Sequence, residues 1–487
     1  MVGIAEPERV WHQGRTRTMR SLVTVMFAAL VWVGCDSGKS SSSTGPVLAR
    51  WRSAGAGILA GQTNLPVLRG VLTLPESAGL GDRLATNLTQ LLLERTAANV
   101  PASTLLPVVR AVVDGESAGE ITTEGWVVAV RALGMETGPL TAAIAGWGRG
   151  AVATVTNGWW IAASGPGRLS RAGELPAATP TGLFAGELDL PGLLGAEAAG
   201  WPRVAVTVGM SNAVVRTDAV LDFARAPLGE MEAWKVPDGF IRDPLIRFSV
   251  ARGIGPLVER VGWLKMLCGG VAPGQVTAWA QPEVTFRNWF AIPVADAPAR
   301  ITEIHRGLQP YFGTTNEPGE YMGRLIVNSN RSAVAVFDLK ACFPTISTLQ
   351  QGEQSFLMAG FTPGLRSSNA IPAELRARIE RPEIAWYEWE ITGESARNWN
   401  VLAQFHQLTR RAPPNPLNAR GLKWLIAAVP RLGNSVTELS RISPTRYELH
   451  RKSDLGLNGL ELVLLTRWLD GDAEIARPMP AIPVVKP

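Results

Sequence analysis

GLFAGELDLPGLLGAEAAGWPRVAVTVGMSNAVVRTDAVLDF, residues 182–223, holds three kinds of local signal in one run. GLFAGELDL (182–190) is a strand-length segment, PGLLGAEAAG has the small and leucine residues of a short helix, and RVAVTVG with VVRTDAVLDF alternates with a period of two. That is a strand, a helix and a hairpin in succession. Working outward, the order recurs. GWVVAVRAL (125–133), GPLTAAIAGWG and the hairpin AVATVTNGWWIAAS precede it, with Asn157-Gly158 suited to a type I′ turn. PLIRFSVA (244–251), the helix GIGPLVERVGWLKML and the strands QVTAWAQ and VTFRNWFAIPV follow it. EIAWYEWEI (383–391) leads through helices near 395–409 and 418–430 to SVTELSRI, RYELHRKS and the helix LNGLELVLLTRWL.

Hairpins beside single helices predict an α+β fold: tandem strand–helix–hairpin units forming antiparallel sheets with helices on one face. Residues 66–115 read as mainly helical. Residues 297–380 read as a helix, the strand pair GRLIVNSN and SAVAVFDL, and a loop-rich segment. The expected organisation is a signal segment at 1–34, a lipidated cysteine and Ser-rich linker at 35–54, domains at 55–175, 176–296 and 297–476, and a Pro-rich tail at 477–487.

Composition narrows the function classes. The chain has 487 residues, 46% hydrophobic and 18% charged, which is globular material. Net charge is +5, of which the first 34 residues carry +2, and no basic run follows. Nucleic acid is therefore not the expected partner. Tryptophan is abundant, 17 residues against 4 tyrosines.

From Met19, an arginine and the apolar run Leu22–Val33 lead to Val33-Gly34-Cys35 and a serine tract. The run is too short to span a bilayer and has the length of a secretory core. It resembles the bacterial lipoprotein signal, with Trp32 where that signal usually has leucine. The resemblance implies lipidation at Cys35 and a membrane partner reached through a lipid anchor. With GLFAGELDLPGLLG and the recurring units, the layout also resembles uncharacterised bacterial envelope lipoproteins built from strand–helix–hairpin repeats. That implies an exported location in the cell envelope and brings no reaction with it.

Gly115-Glu116-Ser117-Ala118-Gly119 fits G-x-S-x-G, the turn that presents an esterase serine. Upstream, STLLPVVRAVVD has helical spacing rather than that of a buried strand, and EITTEG downstream is no small-residue helix start. A helix C-terminus or turn ending at Gly115 or Gly119 is the expected structure, and Ser117 is a catalytic candidate only for the esterase alternative. His305, His406 and His450 have no triad-like context. No H-E-x-x-H, C-x-x-C or Asp-rich calcium loop occurs, so neither a metal nor a cofactor is expected.

Strand alternation in IAWYEWEI places Trp386, Glu388 and Glu390 on one face, roughly 7 Å between successive side chains, a separation used by glycosidase carboxylate pairs. A solvated polar face crossed by one tryptophan is the expected structure. Trp159, Trp160 and Trp386, with the two glutamates, are the candidate ligand-binding residues of a carbohydrate-binding alternative. Cys268 and Cys342 are expected as separate thiols. The reading as a whole points away from catalysis and toward a binding or scaffolding protein with an unidentified protein or glycan partner.

Overall fold

The structure is a computed structural model that describes residues 45–96, 100–147, 150–175, 182–198, 200–241, 243–282, 287–310, 324–330, 332–337, 344–361, 371–409 and 419–471. Cys35 with its signal, Cys342, residues 410–418 and the C-terminal tail lie outside these residues, as does the side chain of His406.

In chain order the strands are β1 (Val47–Ser53), β2 (Ser117–Thr122), β3 (Gly125–Arg131), β4 (Val152–Thr156), β5 (Trp159–Ala163) and β6 (Gly182–Asp189). Next come β7 (Arg203–Ser211), β8 (Val214–Asp222), β9 (Arg247–Arg252), β10 (Gln275–Ala280), β11 (Asn288–Val294) and β12 (Arg324–Val327). The last six are β13 (Ala333–Phe337), β14 (Thr345–Gln351), β15 (Gln354–Gly360), β16 (Ile384–Ile391), β17 (Asn434–Arg441) and β18 (Arg446–Ser453). All 18 belong to one antiparallel sheet. Its order is β4-β5-β3-β2-β1-β6-β7-β8-β18-β17-β16-β9-β10-β11-β15-β14-β13-β12. The fold is thus α+β, with a single sheet in place of several. Long-range pairs such as β1–β6 and β8–β18 join hairpins that were each legible alone, because an unpaired strand edge leaves backbone donors and acceptors unsatisfied.

Most helices pack on one face, and register shows which. Trp51 of β1, Val128 and Val130 of β3, and Trp160 of β5 form a core with the helices Pro75–Thr96, Ala102–Asp114 and Thr137–Trp147. Further along, Ile292, Leu357 and Ile346 meet the helix Ala297–Leu308. Helices Thr392–Thr409, Arg420–Ala428 and Gly459–Leu469 form their own core around Trp424, Leu425 and Leu462.

The opposite face carries exceptions to the expected one-sided layout. The 3-10 segment Pro166–Glu174 covers Val127, Ala129 and Ile161, held by Arg171 to buried Glu120 at 2.7 Å. Helix Ala373–Ile379 places Leu375 and Ile379 against Phe248, Trp279, Phe356 and Tyr387. Strands β11, β15 and β16 have large apolar residues on both faces, so one helical layer could not bury them. Between these covers, the face over β6, β7, β8 and β18 is open.

Asn157 and Gly158 take positive φ, 51° and 75°, as a type I′ turn requires. The segment expected to be loop-rich instead contains the hairpin β14–β15 and helix Ala373–Ile379. TISTLQQ and QSFLMAG alternate only weakly, and their packing against β11 supplies what periodicity does not. The helix expected over GIGPLVERVGWLKML breaks into Gly255–Glu259 and Gly262–Leu267.

Candidate functional site

Ser117 opens β2, directly after the helix that ends at Asp114. It is fully buried, and its Oγ donates to the Val112 carbonyl at 3.0 Å. A strand-embedded hydroxyl of this kind faces no solvent and no substrate. The second motif glycine has a packing reason: a methyl at Gly119 would lie 2.3 Å from Cη2 of Trp51, whose indole crosses the strand there.

Trp160 is fully buried, with Nε1 donating to Thr141 Oγ1 at 3.2 Å. Trp159, on the other face, is half-buried beneath the guanidinium groups of Arg52 and Arg131, 5.7 and 5.3 Å from its ring. Trp160, being fully buried, therefore presents no face for stacking on a ligand. His305 sits half-buried on helix Ala297–Leu308. His450 lies on the open face of β18, Nδ1 at 2.6 Å from Asp218 Oδ1. Cys268 is a buried free thiol whose pKa burial pushes up to about 12.

The acidic stretch of β16 departs most from expectation. The alternation holds, but the face bearing Glu388 and Glu390 is roofed by the helical layer rather than solvated. Glu390 is 1% exposed and stands opposite Arg247 of β9 and Ser435 of β17. Glu388 is half-buried, opposite Ser249 and Thr437. The roof is the N-terminus of helix Gly459–Leu469. Gly459 N–H donates to Glu390 Oε1 at 2.6 Å, Ser435 Oγ adds a bond of 3.1 Å, and Asn458 Nδ2 donates to Glu388 Oε2 at 2.9 Å. Carboxylates belong at such a terminus, where free N–H groups and the helix dipole concentrate positive potential.

Asn458 and Glu461 close a reciprocal capping box on the same helix. Glu461 then grips Arg451 of β18 through bonds of 2.5 and 3.1 Å, both residues being buried. Arg247, also buried, donates to Asn288 Oδ1 at 3.1 Å and lies 4.1 Å over the Trp399 ring. Trp386 belongs to this face too, its Nε1 donating to Ser249 Oγ at 3.0 Å. Ser395 Oγ and Glu390 Oε2 are buried without a hydrogen bond of proper geometry among the described residues.

Charge balance explains the titration. Arg247 neutralises one of the two carboxylates, so the second carries a proton more readily. Burial, and then the neighbouring Glu390, raise Glu388 to about 7 against the pull of Arg247, Asn458 and Arg451. Burial raises Glu390 as well, opposed by Ser395, the Gly459 N–H, Arg247 and Ser435. Glu388, beside a second buried carboxylate, thus exchanges its proton near neutrality. Both carboxylates, however, are committed to holding the helix, and they line up along a strand rather than flank a cleft. The arrangement is a proton-sensitive clamp.

The open space lies on the other side of the sheet. A cleft of about 870 Å³ runs between the segment 231–238, the tip of the β14–β15 hairpin and helix Ala373–Ile379, with Trp234, Asp238, Arg252, Gln351, Glu353 and Arg376 in its wall. Gln351 ties the walls together: its Oε1 accepts from Gly239 N–H at 3.0 Å. Gln275 does the same for the strand side, accepting from Lys235 N–H at 3.0 Å and donating to the Ala233 carbonyl at 2.7 Å. Sequence reading passed over these residues. Trp234 stands in a segment without periodicity, and only the Pro237-Asp238-Gly239 turn signal marks it.

Fold and cleft together define an α+β protein organised on one broad antiparallel sheet, with a preformed polar cleft. No family model matches the chain, and no curated protein or solved structure matches it either.

Proposed function

We propose that the chain is an exported, lipid-anchored protein of the bacterial cell envelope that binds or scaffolds and catalyses nothing, built from tandem strand–helix–hairpin units. The observation that carries the binding role is the cleft beside Trp234: its size falls within the range of small-molecule sites, and its described lining offers hydrogen-bonding groups and one indole with no serine, cysteine, threonine or lysine nucleophile. The unit organisation draws support from the chain order β6, helix Leu190–Leu194, β7, β8, and from β16, helices, β17, β18, in which each strand pairs with the first strand of the following hairpin. The anchor rests on Val33-Gly34-Cys35 and its Ser-rich spacer.

Two labels test the reading on the full chain expressed in a bacterial host. Alkyne-palmitate should label the wild-type protein and not the Cys35→Ala variant. A fluorophosphonate probe should leave the folded protein unlabelled. Fluorophosphonate labelling lost on Ser117→Ala would replace the binding reading with an envelope esterase.

A further inference from the structure

We propose that the cleft beside Trp234 is a binding site for a neutral polyhydroxylated ligand, a saccharide of about two rings. The inference rests on the binding reading above and names the ligand class of that same cleft.

The wall mixes polar side chains with Met231, Val236 and Ile379, and its cations are already engaged. Arg252 spends its donors on backbone carbonyls: Nε on Ile384 at 2.8 Å, Nη1 on Glu232 at 3.0 Å, and Nη2 on Pro382 and Arg381 at 2.6 and 3.1 Å. Arg376 pairs with Asp238 Oδ2 at 2.6 Å and with Glu380 at 3.4 Å. A phosphate or carboxylate ligand would have to displace one of these sets of partners, and the four carbonyl bonds of buried Arg252 would be lost with nothing to replace them. A cationic ligand would compete with Arg376 for Asp238 and Glu380, and of the carboxylates in the described lining would have Glu353 alone, at the exposed hairpin tip. A neutral ligand avoids both costs.

Two groups of the wall are short of partners. Trp234 Nε1, a donor, and Asp238 Oδ1, an acceptor, are buried with no hydrogen bond among the described residues. A hydroxyl can accept from the first and donate to the second, so each lacks a partner of the kind that a ligand dense in hydroxyls carries. Trp234 is held in place by Arg252, which lies 4.6 Å from the centre of its ring. The indole therefore enters binding with little rotamer freedom left to lose, a favourable condition for stacking. At the mouth, Glu353 and Gln354 on the hairpin tip are exposed and add planar acceptors and donors.

A peptide fits less well. Adding a strand requires an unpaired sheet edge, and β9, β14 and β15 each pair on both sides. Proline-rich segments dock on rows of aromatic rings, whereas Trp234 is the one aromatic residue in the described lining.

The test is isothermal titration calorimetry on the full chain, purified in a detergent without a sugar headgroup, with maltose, cellobiose and N,N′-diacetylchitobiose as probes. At least one should bind with a dissociation constant of about 1 mM or tighter. Trp234→Ala should weaken it about tenfold through loss of stacking. Glu353→Ala, at an exposed hairpin tip, should weaken it about threefold with no change in melting temperature. Absence of binding by all three, or binding that both variants leave unchanged, overturns the proposal. A tetraproline peptide that binds in their place and is blocked by the same variants also overturns it, while leaving the binding role intact. Fluorophosphonate labelling would instead bring down the binding role itself.

Discussion

His450 and Arg451 are neighbours on β18, and they live in different solvents. The imidazole lies on the open face, partly exposed beside Asp218; the guanidinium lies under helix Gly459–Leu469, 4% exposed against Glu461. The same split divides the whole middle of the sheet. On the helical side, the charged groups are tied to the helix: Glu390 to Gly459, Glu388 to Asn458, Arg451 to Glu461. On the open side, Asp218 accepts from Arg216 at 2.8 Å and meets His450 in the presence of water. The contrast teaches that equal-looking charges along one strand carry very different energies, because dielectric and desolvation are set by what covers them.

The largest way to break the comparison is Arg451→Ala. It leaves Glu461 charged and buried without its partner, and should cost about 3–5 kcal/mol in urea unfolding. The double variant Arg451→Met, Glu461→Gln keeps the helix cap and removes both charges, and should lose less than the single one. Equal losses would mean that packing of the arginine stem, rather than charge, decides the matter.

Glu388 sharpens the comparison through pH. Its carboxyl titrates higher in the folded chain than in the unfolded one, about 7 against 4.5. Between those values the folded state holds the extra proton, so stability should fall as pH rises from 4.5 toward 7 and level off above it. Glu388→Gln should flatten that slope in urea titrations at pH 5.5 and 7.5, and add on the order of 2 kcal/mol at the higher pH. A wild-type profile that is level across this window would refute the proton-sensitive clamp.

Asn458→Ala removes the cap that links helix to strand and should cost about 1–2 kcal/mol by thermal unfolding. Ser117→Ala deletes one buried bond to Val112 and should cost about 1 kcal/mol, with no change in reactivity toward a fluorophosphonate. On the open face, His450→Asn should move stability by about 0.5 kcal/mol or less, as measured by the same unfolding curves. A larger loss there would show that the open face is covered in solution.

Much of this molecule was legible before its structure. The unit at 182–223, the Asn157-Gly158 turn, the helix ending at Gly115 and the alternation of IAWYEWEI all appear where local pattern puts them. The candidate site was not legible in the same degree. Glu388 and Glu390 were recognisable as a same-face pair, but their roof comes from Asn458 and Gly459, about seventy residues away, 70 for Glu388–Asn458 and 69 for Glu390–Gly459. The cleft draws its walls from segments near 234, 351 and 376, one of them a hairpin with too weak a period to read.

By itself, the sequence determined most of the strands, helices and turns, because side-chain periodicity and turn geometry act over a few residues. It also determined the composition that makes a nucleic-acid surface a poor expectation. Only the tertiary structure decided which face of each strand is dry, that the hairpins join into one sheet, and that Trp234 borders open space. Those outcomes depend on strand edges and helix ends meeting across long stretches of chain, and the burial that results sets both the charge state of Glu388 and the shape of the cleft.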